Sequence, residues 1–211
     1  MNTLTETAPA LPARVAAPLP ATTSSPVRRS AATVRALGVA ATLLVAVHAT
    51  LAILYVPRWP VGLVWLEWSA VGVPIAMILV TAAMWITRAA AAPLLALQYA
   101  TAMGVAIVGV VGAITGDPFY VEDLDMWSML AALTAQYLVA LGVLARGAWR
   151  GVRRVLPILG ASWATVVLPI AIFNDGTEAA WWVFVLYVCG GLILNGAAIA
   201  IRPPARREVT R

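Results

Sequence analysis

The chain has nine acidic residues, and one of them falls inside a long apolar run: Glu67, in Val64-Trp-Leu-Glu-Trp-Ser69. An acid in the middle of a bilayer costs about 3 kcal/mol, and less toward the surface, so an intramembrane carboxyl is by default a functional mark. A desolvated carboxyl holds its proton and can donate it. The plainer alternative is that Glu67 points up at the headgroups or pairs with Arg58. A second acidic set, Asp117, Glu122, Asp123 and Asp125, supplies hard oxygens of the kind that bind divalent cations. Outer loops are often acidic for topology alone, however, and Asp125 just before Trp127 reads better as an N-cap or near-cap acid. No metal site is expected. His48, the only histidine, cannot by itself form a bis-histidine haem site and is expected to be hydrogen-bonded inside a bundle. Gln98, Tyr99, Gln136, Tyr137, Ser162, Thr165 and Asn195 are expected to bond between helices.

These residues must be positioned within lipid. Of the 211 residues, 62% are hydrophobic and 11% charged, and the mean hydropathy is +0.90. A water-soluble domain carries about 25% charged residues, so that class is excluded. Cys189 has no second cysteine to pair with, which excludes a disulfide scaffold. Apolar periodicity and breakers predict an all-α, polytopic six-helix bundle with spans near 33–56, 61–86, 92–115, 127–145, 153–173 and 180–201. Short connections make neighbouring helices antiparallel. Pro74 and Pro169 fall within spans and are expected to bend them.

The charges then give an orientation. With the N-terminus inside, every Arg except Arg58 lies in an inner segment, and the acids other than Glu6 and Glu208 lie toward the outside. This is the positive-inside pattern, and it predicts N-in, C-in topology in a bacterial plasma membrane. It also accounts for the pI of about 10.1 without nucleic acid as a partner. Residues 1–31, rich in Ala, Pro, Thr and Ser, read as a disordered cytoplasmic tail; residues 32–202 as the transmembrane domain; and 203–211 as a short basic tail. Arg28-Arg29 before an apolar helix superficially resembles a twin-arginine signal. The length of the helix and the lack of a clear cleavage site favour a signal anchor or plain first span.

The aromatic residues crowd the outer third: Tyr55, Trp59, Trp65, Trp68, Phe119, Tyr120, Trp127, Phe173, Trp181, Trp182 and Phe184, with Trp85 and Trp149 at the inner interface. A belt explains part of this, but belts occur at both faces. The excess suggests an aromatic chamber whose π faces would stabilise a cation beside Glu67.

Trp127, Gln136 and the loop Leu144-Ala-Arg146-Gly147-Ala-Trp-Arg150-Gly151 together resemble the integral-membrane terpene cyclases, a family of fungal meroterpenoid and indole-terpenoid enzymes with short bacterial relatives. Trp65-Leu-Glu67, followed by Pro74, resembles that family's Trp-Glu element, with an inserted Leu. The resemblance implies that Glu67 donates the proton that starts cyclisation of a prenylated, farnesyl-type aromatic or indole substrate. Asp125 and Asp175 are then candidates for the neighbour that reprotonates it, because the last helix carries Asn195 where the fungal enzymes carry an acid. Trp65, Trp68, Tyr99, Trp127, Gln136, Trp163 and Tyr187 are the expected substrate-lining residues. The class needs no cofactor and implies a prenyltransferase as a genetic neighbour. Six spans with both ends inside also suit a small transporter or ABC-type permease subunit, and a non-catalytic accessory protein would use the same polar groups for packing alone.

Overall fold

The computed structural model describes residues 26–55, 64–115, 122–147, 149, 151–161 and 188–204, with the side chains of 26–29, 55, 64–67, 122–126 and 152 outside the description. The elements among the described residues are all helices, and no strand occurs among them. Four long helices, α1 (Pro26–Tyr55), α2 (Val64–Thr87), α3 (Ala92–Thr115) and α4 (Glu122–Arg146), precede a 3-10 turn (Gly151–Arg154), a short α5 (Leu156–Ala161) and α6 (Gly190–Ile201). Within α1 to α4, the stretches Ser30–Leu54, Trp68–Thr87, Ala92–Thr115 and Trp127–Arg146 are long and apolar enough to cross a membrane. These helices make the chain a membrane protein by length and composition. The remainder of the expected fifth and sixth spans, with Pro169, lies outside the described residues.

Two helices begin before their apolar runs. α1 starts at Pro26, where the fixed φ of proline suits the first helical position, so part of the expected tail is helix. α4 starts at Glu122. Glu122, Asp123 and Asp125 therefore form its opening turn, where carboxylates complement the positive end of the helix dipole. Asp125 lies in that opening turn and not at the cap itself, so of the two positions expected from sequence it takes the near-cap one.

Neighbouring helices run antiparallel. α1 packs on α2 and α6, α2 on α3, α3 on α4, and α5 on both α4 and α6. Glycine sets the closest of these contacts. A Cβ on Gly38 would lie 2.7 Å from the Ala200 nitrogen and 2.7 Å from the Gly196 oxygen, so α1 and α6 touch backbone to backbone. Gly160 and Gly191 do the same for α5 and α6. Close approach through small residues is how helices associate in lipid, where burial of apolar surface supplies little drive.

The core is built from Val45, Ala76, Met77, Leu95, Leu133, Val143, Leu192 and Ile199 among others. Thr42, Thr50, Thr81, Thr87, Thr101, Thr115 and Thr134 donate to the carbonyl four residues back in their own helices. These hydroxyls are satisfied locally, as bilayer-embedded polar groups must be.

Candidate functional site

The buried amides differ from the hydroxyls. Gln98 on α3, Gln136 on α4 and Asn195 on α6 are 2%, 5% and 2% exposed, and the side-chain oxygen of each is buried with no hydrogen-bond partner. They had been expected to bond between helices. Leaving a buried acceptor unmatched costs about 1–3 kcal/mol.

The helix register brings two of these amides to one depth. Gly142 of α4 faces Leu94 and Ala90 of α3, and Gly109 of α3 faces Val71 of α2. The guanidinium Nη1 of Arg146 donates to the Ala90 carbonyl at 3.0 Å, in agreement with that register. At 1.5 Å per residue, Gln98 and Gln136 then lie within about 3 Å of each other along the bundle axis, level with Thr81. Gln98 belongs to the buried stripe Leu95, Gln98, Ala102, Val105 of α3, spaced to put all four on one helix face. That spacing is the signal in the sequence that Gln98 faces inward.

A second polar contact joins α1 and α2. His48, 4% exposed, places Nδ1 3.0 Å from Ser69 Oγ, so the expectation of a hydrogen-bonded histidine holds. Glu67 lies in the first turn of α2, two residues before Ser69. Along the axis this is about 3 Å from the His48–Ser69 contact.

Among the described side chains, three of the expected lining residues do not share the enclosed face with Gln136. Trp68, Tyr99 and Trp127 are 43%, 43% and 64% exposed and stand on the outer surface of the bundle. The reason for Tyr99 is geometric: its neighbour Gln98 occupies the buried stripe, and successive residues turn by about 100°. Tyr99 instead lines an open apolar groove of about 430 Å³ with Ala82, Trp85 and Ile86. Glu67 and Gln136 lie about 20 Å apart along the axis. Trp163, Asp175 and Tyr187 lie outside the described residues, as do the side chains of Trp65, Glu67 and Asp125.

The Arg-rich loop is ordered by its own contacts. Arg154 Nε and Nη2 donate to the Leu144 carbonyl at 3.1 and 2.8 Å, adding to the bond that this carbonyl accepts from Gly147 N–H at the end of α4. Trp149, read from sequence as an interface marker, is a buried residue whose Nε1 reaches the Arg202 carbonyl at 3.4 Å. Among the described residues, no three His, Cys, Asp or Glu side chains come together as a metal site. The chain matches no protein family, no curated protein and no solved structure in these comparisons.

Proposed function

We propose that the chain is a six-span protein of the bacterial plasma membrane with both ends on the cytoplasmic side, and that it is a terpene cyclase. The observation that carries this reading is Gln136, one of the residues of the resemblance, which sits in the core with an unpartnered oxygen. An acceptor held dry in this way suits the hydroxyl or indole N–H of an aromatic head group. The prenyl chain then runs through apolar surroundings toward Glu67. The separation of about 20 Å suits an elongated amphiphile with its head at the amides and its distal isoprene units folding near the acid.

Glu67 adds its proton either to a terminal alkene, whose π electron pair forms the new C–H bond, or to an epoxide oxygen, which becomes a hydroxyl as its C–O bond breaks. The cation left behind is attacked by successive alkenes, each closing a ring, and loss of a proton from carbon ends the sequence. Proton gain and loss balance, so no further reactant is required. Exclusion of water protects the cation from quenching. The His48–Ser69 pair, close in depth to Glu67, joins Asp125 and Asp175 as a candidate for returning the proton.

Membranes containing the protein are expected to convert a farnesylated aromatic or indole compound to a cyclic isomer of equal mass, separable by chromatography, and Glu67→Gln is expected to abolish it. Unchanged turnover in that variant would remove Glu67 as the acid. One observation favours a second reading, a non-catalytic membrane protein: Trp68, Tyr99 and Trp127 face outward, as belt residues do. That reading expects no product from any prenylated substrate.

A further inference from the structure

The end of α2 carries a residue of the wrong type for its backbone. Ala89 N–H donates to the Met84 carbonyl at 2.9 Å and Arg88 N–H to the Trp85 carbonyl at 3.1 Å. These two bonds define a Schellman cap, whose left-handed position is usually glycine. Here it is Arg88, with φ of 54°. The equivalent position after α4 is Gly147, with φ of 61° and its N–H on the Leu144 carbonyl. A side chain in this conformation is unfavourable, and such outliers point to a use for the side chain that bears them.

The surroundings of Arg88 suggest that use. Trp85 is one turn before it, and Trp85, Ile86, Ala82 and Tyr99 line the apolar groove between α2 and α3. Arg146, anchored on the Ala90 carbonyl, brings a second guanidinium to the same connection. Among the described residues, the acids Glu67, Glu122, Asp123 and Asp125 all lie at the opposite end of the bundle. At the Arg-rich end, Arg153 Nη1 is buried without an acceptor. The region is thus short of anions and rich in cations, above an apolar channel that opens sideways.

We propose that this is a binding site for an anionic phospholipid of the surrounding bilayer, with its phosphate on Arg88 and Arg146 and an acyl chain in the groove. Basic positions between helices at a membrane surface recognise anionic head groups in this way. The site is separate from Gln136 and does not depend on the cyclase reading.

The test uses the full chain purified in micelles containing equal phosphatidylglycerol and phosphatidylcholine, with retained lipids counted by native mass spectrometry. The wild type is expected to retain phosphatidylglycerol preferentially. Arg88→Gly is expected to lower that preference about fivefold, the effect of one cation near an anionic surface, while raising the unfolding midpoint because the backbone strain is relieved. Arg88→Lys should keep the preference, and Ala82→Trp, which fills the groove, should reduce retention of phosphatidylglycerol. Equal retention of the two lipids by the wild type would overturn the proposal. So would an Arg88→Gly protein that folds and keeps the full preference, or undiminished retention in Ala82→Trp.

Discussion

Gly38 of α1 and Gly196 of α6 meet so closely that each lacks room for a methyl group: a Cβ on Gly196 would lie 2.9 Å from the Gly38 oxygen and would press on Thr42 Oγ1. The first and last described helices are thereby joined over their backbones, closing the bundle. Gly38→Leu is expected to destabilise the protein by about 2 kcal/mol or more, the scale of overpacking in a filled interior. Gly104→Ala, at a position with nothing within 4 Å, should be neutral or slightly stabilising. Unfolding of both variants in a mixed-micelle denaturant titration makes the comparison.

The buried amides predict a trade between stability and function. Gln136→Leu removes an acceptor that has no partner, so it is expected to raise stability by about 1 kcal/mol while reducing cyclic product. Gln98→Leu should behave alike, because the two side chains share a depth. A Gln136→Leu protein that is strongly destabilised would mean that the amide is satisfied in the native membrane, and its role would then be packing.

The His48–Ser69 contact makes a smaller prediction. Interhelical hydrogen bonds in membrane proteins contribute on average about 0.6 kcal/mol, so Ser69→Ala should cost little stability. A loss of turnover out of proportion to that cost, read from product formation at equal amounts of folded protein, would support a part in proton return. Parallel small losses in both would confine the pair to packing.

Orientation can be read directly by chemical labelling. Cys189 is buried, and Cys189→Ser gives a background without thiols. On it, Asp123→Cys is expected to react with an impermeant maleimide added to intact cells, whereas Arg206→Cys should react only after the membrane is opened. The reverse pattern would invert the topology.

Helix boundaries and site residues differ in how legible they are in the sequence. The helices α2 and α3 end within a few residues of the limits expected from apolar runs and breakers, because chain entry into lipid depends on local composition. The starts of α1 and α4 lie outward of the apolar runs because the helix extends into water before the first apolar residue, from Pro26 in α1 and through the acids of the first turn of α4. For the site, His48 was expected to be paired, yet its partner Ser69 was not foreseeable from one chain position. Trp68, Tyr99 and Trp127 were expected to line a chamber and stand instead on the outer surface.

The sequence by itself determined a helical chain made for lipid, with its Arg and acidic residues sorted into alternating segments between the apolar runs. Those properties are sums over local composition, and no partner is needed to compute them. Only the tertiary structure decided which helix faces turn inward. In lipid the outward face is as apolar as the core: Leu43, Val47 and Ile107 are exposed while Val45 and Val105 are buried. Hydrophobicity therefore does not mark the inside. The inside is chosen by how the helices pack: Gly38 on Gly196 joins α1 to α6, and α3 turns its face of Leu95, Gln98, Ala102 and Val105 inward, which leaves Tyr99 outside.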